Sequence, residues 1–225
     1  MKIGVVVAHP DDEVLGCGGT LAGLSGSHAA HILVLGEGIR ARDPSGAAGS
    51  DRLIRRLQEQ SRKVAALLGA KTIEFAGLPD NQFDARPLLD VIRIVERWMV
   101  ERRVEAIYTH HPGDLNIDHQ IAFRAVLTAT RPMRGCLVRD LYACEIPSST
   151  EWAFQRLEPA FCPNVFVDIS STLRTKLHAM RLYADELRPF PHPRSLKALR
   201  AVAQRWGSVA GLAYAEPFEL IRSVR

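Results

Sequence analysis

The sequence lacks long apolar runs. Its first residues, MKIGVVVAHPDDE, hold an apolar run of only about five residues before proline and charged residues interrupt it, which is too short for the core of a signal peptide or for a membrane span. No later stretch approaches the roughly 18 apolar residues that a membrane helix needs. We therefore expect a cytoplasmic protein without a membrane span.

Cysteine is scarce as well. The four cysteines, Cys17, Cys136, Cys144 and Cys162, lie far apart and form no C-x-x-C pair. This spacing excludes a cysteine-rich zinc module and differs from that of a small disulfide-stapled domain. We expect reduced thiols.

No segment carries a large excess of one charge. The net charge is +4, and the basic residues alternate with acids or helix formers, which is typical of solvated helix faces rather than of a groove for nucleic acid. An anionic small substrate stays compatible with this charge. The length of 225 residues, of which 47% are hydrophobic, predicts one domain over residues 1–225 and leaves open whether the chain forms a homo-oligomer.

Apolar, β-branched runs alternate with helical patterns along the first 130 residues. This alternation predicts an α/β fold, namely a Rossmann-like, mostly parallel sheet flanked by helices. A less regular carboxyl-terminal part follows, with strands at 138–144 and near 165–169 and a helix at 171–186. The earlier strands are expected at 3–8, 31–35, 72–75 and 106–109, and the earlier helices at 14–23, 51–68, 87–103 and 121–130.

The motif HPDDE directly follows the first predicted strand. Parallel sheets place their chemistry at the carboxyl ends of strands, and histidine with carboxylate suits a catalytic zinc, which takes three protein ligands and keeps one position for water. Two adjacent aspartates are hard to combine as ligands of one ion. One of Asp11 and Asp12 would then bind metal with His9, and the other would act as general base on water.

Two interpretations without metal stay open. Asp11 or Asp12 can be the N-cap of the next helix, with His9 as a loop residue. The glycines in GCGG loosely resemble a phosphate-binding loop, which would make the chain a non-catalytic, nucleotide-binding Rossmann module, although the G-x-G-x-x-G spacing is missing.

A second polar cluster, HHPGDLNIDH, follows the fourth predicted strand and should meet the first at one sheet edge. We take His119 as the third metal ligand and Asp118 as the carboxylate that holds a ring proton of that histidine. A metal-free turn held by Asp and Asn hydrogen bonds is the alternative. The cluster supplies His110, His111, Asp114, Asn116, Asp118 and His119.

AHPDDE, together with a distant Asp-His pair after the fourth strand, resembles the PIG-L/LmbE-like family of N-deacetylases. The resemblance covers residues 3 to about 129, and GDLNIDH, PSSTEW and PHPRS are similar to segments of a bacterial subgroup. It implies a Rossmann-like fold, a zinc ion bound by His9, Asp12 and His119, and Asp11 as general base. By ligand type alone, iron(II) or cobalt would suit the same residues.

One position departs from the family pattern. Better-known members often have a histidine three residues before the last ligand, where it orients substrate or stabilises charge, and this chain has Asn116 there. Asparagine donates a hydrogen bond but carries neither a proton to transfer nor a charge. Asn116 is therefore expected as a catalytic-site donor only, with Asp11 returning the proton to the amine and His110 or His111 as substitutes for the missing histidine.

The implied function is hydrolysis of an acetyl or other acyl group from the nitrogen of an N-acetylglucosamine-type amino sugar or sugar conjugate. An amidase acting on a thiol–sugar or another small amide would use the same centre, and a chain that binds metal without catalysing is a further alternative. For residues 80–81 and 187–195 a plain turn and a surface connector are the structural alternatives to binding. The substrate contacts expected at this edge are Arg40, Asp80, Asn81, His111, Arg188 and His192, with Arg194 beside them.

Overall fold

The structure is a computed structural model that describes residues 1–42 and 47–225. Residues 43–46, within the loop expected after the second strand, lie outside the described residues. Two 3-10 turns, Phe83–Ala85 and Glu151–Ala153, follow the third and fifth strands. The elements are β1 (Lys2–Val7), α1 (Asp12–Leu24), β2 (Ala29–Gly36), α2 (Ala47–Leu67), β3 (Thr72–Leu78), α3 (Leu88–Arg102), β4 (Ala106–His110), α4 (Ile117–Ala129), β5 (Asp140–Cys144), β6 (Val165–Asp168), α5 (Leu173–Leu182), α6 (Leu196–Ala210) and β7 (Ala215–Arg222).

The seven strands form one sheet in the order β3-β2-β1-β4-β5-β7-β6. Strands β1 to β5 pair in parallel, whereas β7 runs antiparallel to both of its neighbours. The chain moves outward from β1 through β2 and β3, then returns to the other side of β1 with β4. Ligands of open α/β sheets bind at such a reversal, outside the carboxyl ends of the strands. The predicted Rossmann-like, mostly parallel sheet is confirmed.

Helices cover both faces of this sheet, so its central strands are buried on both sides. Ile3, Val5 and Val7 of β1 belong to one core, which α1, α2 and α5 complete. Val6 and Ala8 point the other way, into a core formed with α3 and α4. Burial on both faces explains why the sequence of β1 is an unbroken apolar run rather than an alternating one.

The carboxyl-terminal part is more regular than predicted. Helix α6 is capped by Ser195, whose hydroxyl accepts a hydrogen bond from the Ala198 amide at 3.1 Å, and β7 lies between β5 and β6. Neither α6 nor β7 was predicted from the sequence, and β7 contains Pro217, a residue type that is unusual in a strand with neighbours on both sides. Within the described residues, no helix combines the length and the apolar character that crossing a membrane requires.

Helix α1 is interrupted, and a buried ion pair connects its two halves. The backbone at Cys17 leaves the helical region (φ −143°, ψ 20°). Two amides of the next turn donate to the Glu216 carboxylate at 2.8 and 2.7 Å, while Nζ of Lys176 donates to the Leu15 carbonyl at 2.8 Å and to Glu216 at 2.6 Å. Both charged side chains are buried, so the polar groups freed by the break are satisfied.

Candidate functional site

The first polar cluster forms a tight turn between β1 and α1. Asp11 adopts left-handed backbone geometry (φ 99°), which is uncommon for a residue other than glycine. The Asp12 carboxylate accepts a hydrogen bond from the His9 amide at 2.8 Å. This turn directs the side chains of His9 and Asp12 to one point and sends that of Asp11 elsewhere.

The second cluster leads from β4 into α4. The helix was predicted to begin at 121 but begins at Ile117. The Asn116 side chain caps it there by accepting a hydrogen bond from the Asp118 amide at 2.8 Å. His119 therefore lies on the first helical turn, where it faces the β1–α1 turn. Asn116, the expected catalytic donor, uses its oxygen for this cap, and its amide nitrogen donates to Asn81 at 3.2 Å.

Three side chains converge on one point between the clusters. Nε2 of His119 lies 3.3 Å from Nδ1 of His9. Oδ2 of Asp12 lies 3.6 Å from Nδ1 of His9 and 3.5 Å from Nε2 of His119. Donors bound about 2.0–2.1 Å from a tetrahedral ion stand roughly 3.3–3.4 Å apart. The residues therefore fit a divalent metal, and among the described residues Oδ1 of Asp12 is buried without a hydrogen-bond partner.

Each histidine of this triangle has a carboxylate behind it. Nε2 of His9 lies 3.0 Å from Asp118, and Nδ1 of His119 lies 3.1 Å from Asp114. A carboxylate in this position usually holds the ring proton and leaves the other nitrogen free for a metal. Asp118 is hydrogen-bonded to His9 in this way, whereas the contact between Asp114 and His119 is at ion-pair distance without hydrogen-bond geometry among the described residues. The predicted pairing of Asp118 with His119 is wrong, because consecutive helical side chains point about 100° apart.

The two rear carboxylates are themselves held by the chain. Asp118 accepts from the amides of Asn81 at 2.7 Å and Phe83 at 3.0 Å. Asp114 accepts from the hydroxyls of Thr150 at 2.8 Å and Ser149. A second group of donors, His9 with Asp80 and Asp118, also lies close together, but these hydrogen bonds already occupy Asp118.

The electrostatics of the cluster favour a cation. Burial lowers the pKa of His119, but Asp12 and Asp114 outweigh it and raise that pKa to about 9. Burial raises the pKa of Asp114, but His119 outweighs it and lowers that pKa to about 2. The carboxylates thus create a negative potential at the convergence point, where a divalent ion would replace the histidine protons.

His110 supports the cluster from beneath. It is buried, its Nε2 accepts from the Ala8 amide at 2.7 Å, and its ring stacks on that of His119 with centroids 3.9 Å apart. Burial, followed by the nearby charge of His119, lowers the pKa of His110 to about 3. A neutral ring packed here positions His119, and it does not line the pocket that Asp11 and Asn116 face.

Asp11 faces a small open pocket rather than the donor triangle. Its Oδ2 accepts from Nη1 of Arg194 at 3.0 Å, and Nε of the same arginine donates to Ser148 at 2.8 Å. Burial raises the pKa of Asp11 although Arg194 opposes the shift. The pocket measures about 120 Å³ and is lined by His9, Pro10, Asp11, Gly38, Arg42, Asp80, Asn81, Asn116, Glu186 and Arg194.

The structure brings only some of the expected substrate contacts into this pocket. Asp80 and Asn81 line it. Arg40 instead pairs with Asp51 at 2.6 Å on the surface, and Arg188 donates to carbonyls of its own loop.

His111 and His192 also lie outside the pocket. Nε2 of His111 lies 3.3 Å from Glu219, and the His192 ring packs edge-on against Trp152. Arg194 enters the pocket two residues after His192, because Nδ1 of that histidine accepts from the Arg194 amide at 3.1 Å and bends the loop.

Sequence reasoning missed Glu186 among the pocket residues and did not choose between Arg42 and Arg40, which share one loop. Glu186 forms a two-point ion pair with Arg42, one contact of which is 2.8 Å. Arg42 is only two residues from Arg40, so loop position alone could not choose between the two. Glu186 follows α5 in an ordinary helical sequence and offered no signal.

Fold and site together define an α/β protein with a candidate metal centre at the point where strand order reverses. A family model described as GlcNAc-PI de-N-acetylase (PIG-L) matches residues 4–130, which is more than half of the chain. The chain therefore belongs to this family. The matched region carries both polar clusters, from His9 to His119.

Individual relatives agree with this assignment. The chain is similar to a diacetylchitobiose deacetylase of Thermococcus kodakarensis, with 26% identity over 99% of this chain and 84% of that protein. A solved N,N′-diacetylchitobiose deacetylase from Pyrococcus horikoshii superposes with a TM-score of 0.79 at 19% identity, covering 98% of this chain and 84% of the other. The 4-carboxy-2-hydroxymuconate hydratase GalB of Pseudomonas putida also reaches 0.79, at 22% identity over 100% and 98% of the two chains, so this fold hosts more than one chemistry.

Proposed function

We propose that the chain is a zinc-dependent N-deacetylase that releases an acetyl group from an N-acetylglucosamine-type amino sugar or sugar conjugate. The observation that carries this proposal is the triangle of His9, Asp12 and His119 donors, with edges of 3.3, 3.5 and 3.6 Å, beside a separate carboxylate, Asp11, in an open pocket. An ion site with an adjacent unbound carboxylate is the arrangement that water-driven amide hydrolysis requires.

The bound ion would be held by the three donors of the triangle. When bound, a divalent cation supplies a Lewis acid that lowers the pKa of water towards about 7 and polarises an amide carbonyl. Zinc is the metal we assign. Iron(II) and cobalt suit the same ligands, and metal analysis of the purified protein distinguishes the three.

Asp11 acts as the proton carrier. It takes a proton from the attacking water while a bond forms between the water oxygen and the amide carbon. The same carboxyl then gives the proton to the sugar nitrogen as the carbon–nitrogen bond breaks, which releases acetate and a free amine. One group serves both steps because Asn116 has no proton to transfer at neutral pH.

Arg194 is the positioning residue for this carboxylate. Its guanidinium grips Oδ2 of Asp11 and is fixed in turn by Ser148. A charge-assisted hydrogen bond of this kind restricts the side chain to one orientation. Asn116, together with Asp80 and Asn81, forms the opposite wall, where amide and carboxylate groups can meet sugar hydroxyls.

The relatives' names and the chemistry of the pocket walls support this substrate class. Deacetylases named for diacetylchitobiose are similar to this chain, and the pocket walls offer both donors and acceptors. An amidase that acts on a thiol–sugar or another small amide would share the centre, and it would be recognised by releasing amine from those compounds but not from N-acetyl sugars.

The test combines metal analysis with a substrate panel of N-acetyl sugars, nucleotide sugars and simple amides, scored for released acetate and amine. Asp11→Asn should retain one equivalent of metal, because Asp11 lies outside the triangle, and should lose about 10²- to 10⁴-fold in kcat. Asp12→Asn should lose the metal itself. Unchanged turnover in Asp11→Asn would remove Asp11 from its role, and a metal-free wild type would remove the zinc centre.

A further inference from the structure

A second cavity lies beside the site, and the proposed mechanism does not use it. It measures about 360 Å³, which is within the range of small-molecule pockets. Its walls combine aromatic rings, a carboxylate and a guanidinium. They include Gly113, Glu145, Phe154, Phe161, Arg205 and Trp206.

The two cavities share the same loops. Gly113 lines this cavity and Asn116 lines the metal pocket, although both belong to the loop between β4 and α4. Glu145 directly follows β5, which is the neighbour of β4 in the sheet. The cavity therefore opens along the same carboxyl edge as the donor triangle, one strand further on.

The loop joining the cavities is closely packed. A Cβ atom on Gly113 would lie 2.0 Å from the Pro159 carbonyl oxygen and 3.0 Å from that of Leu157. Only glycine permits this approach. On the other side of the loop, Asp114 is bonded to Thr150, another residue of the cavity wall, and lies against the metal-ligand candidate His119.

The polar groups of the cavity are of mixed sign. One oxygen of Glu145 accepts from the Trp206 indole at 2.7 Å, and within the described part of the chain the other oxygen has no hydrogen-bond partner. Arg205 lies 4.3 Å above the Trp206 ring. A ligand that only accepts hydrogen bonds would be repelled by the Glu145 carboxylate, and a cationic ligand would be repelled by Arg205.

The mouth of the cavity presents an exposed aromatic face. Phe154 is 75% exposed, the highest value among the large apolar side chains of the described residues, and the exposed Trp152 and Leu157 lie close to it in the chain. Its backbone is left-handed (φ 49°), as is that of Gln155 (φ 54°), and this conformation costs energy for residues with side chains. The ring is thus held outward at the rim.

We propose that this cavity binds a second sugar ring of the substrate, next to the ring whose acetamido group is hydrolysed. A pyranose has an apolar C–H face for Phe154 and hydroxyls that both donate and accept, which matches Glu145 and Arg205. This assignment rests on the proposed function, because it gives the cavity to the same substrate. The chain is then a deacetylase of di- or oligosaccharides rather than of free monosaccharides.

Cellobiose is the binding probe, since it is a disaccharide without an amide and is not consumed. Its affinity for the purified, metal-loaded protein is measured by NMR titration for wild type, Phe154→Ala and Glu145→Gln. Glutamine keeps an acceptor for the Trp206 indole while removing the charge. Phe190→Ala is the matched control, because Phe190 is also an exposed ring (56%) but lies outside the cavity.

We expect cellobiose affinity to fall about 10-fold or more in Phe154→Ala and in Glu145→Gln, because each variant loses one contact to the sugar. The affinity of Phe190→Ala should stay unchanged. In parallel, the ratio of kcat/KM for N,N′-diacetylchitobiose over N-acetylglucosamine should fall in the cavity variants through KM. Equal cellobiose binding in all four proteins, or no binding, overturns the cavity assignment. If no N-acetyl sugar releases acetate, the proposed function is overturned. The cellobiose titration then still tests whether the cavity binds a sugar ring.

Discussion

Asp118→Asn tests the carboxylate behind His9 with a change of almost no volume. Asp118 accepts from the amides of Asn81 and Phe83 and lies 3.0 Å from Nε2 of His9. An asparagine has one oxygen and one NH₂ group at this position. Because all three neighbours are donors, at least one of them would face another donor.

The expected magnitude has two parts. Loss of a carboxylate that orients a ligating histidine typically weakens metal binding about 10- to 100-fold. The unpaired buried donor costs the metal-free fold about 1–3 kcal/mol. In a chain of this size, about 2–4 °C of melting temperature corresponds to each kcal/mol, so the metal-free variant should melt roughly 2–12 °C below wild type.

Zinc affinity is measured by competition with a chromophoric chelator, and stability by thermal unfolding of the metal-free proteins. Asp84→Asn is the control, because Asp84 is an exposed acid in the turn directly after Phe83. A variant that loses stability but keeps wild-type zinc affinity would refute the reasoning, since His9 would then need no carboxylate partner to hold metal.

Two further predictions concern a buried ion pair outside the site and the arginine that holds Asp11. Glu216→Gln leaves Lys176 buried without its anion and should lower the free energy of unfolding by about 3–5 kcal/mol, measured by urea titration. Adding Lys176→Met should restore most of that loss. A double variant as unstable as Glu216→Gln would contradict the ion-pair explanation. Arg194→Gln should lower kcat about 10-fold, equivalent to about 1.4 kcal/mol of lost positioning, with metal content unchanged. Arg194→Lys should recover part of that rate because it keeps the charge without the fork geometry; wild-type kcat in both would exclude Arg194 from holding Asp11.

Local patterns in the sequence were sufficient for the architecture and for the meeting of the two polar motifs, whereas the choice of Asp12 over Asp11 as a metal ligand came from the family resemblance. The apolar run before HPDDE is continuous rather than alternating, which predicts a strand buried on both faces of the sheet. In a parallel sheet the residues that directly follow such strands lie at one common edge. The same reasoning applies to the strand before HHPGDLNIDH. The meeting of the two motifs was therefore predictable from the parallel sheet, although neither motif contains the distances or distinguishes Asp12 from Asp11 as the ligand.

Local patterns misled where proline or a helix boundary was involved. Strand β7 was not predicted, and it contains Pro217, which pairs with β6 but lies beyond the last residue paired with β5, so its missing amide hydrogen is not needed on that side. The start of α4 was placed too late, since Asn116 was considered for catalysis rather than as a helix cap. With the helix starting at Ile117, Asp118 lies behind His9 and Asp114 lies behind His119.

The chain's own order of residues determined the sheet, the edge that carries the chemistry and the ligand types present there. Tertiary structure alone decided the partners. Asp114 rather than Asp118 lies behind His119, Arg194 rather than Arg40 reaches the pocket, and Glu186 joins it from the turn after α5, far away in sequence. The physical reason is that period and spacing specify which face or edge a residue occupies, whereas hydrogen-bond partners depend on side-chain directions that only the packed structure sets.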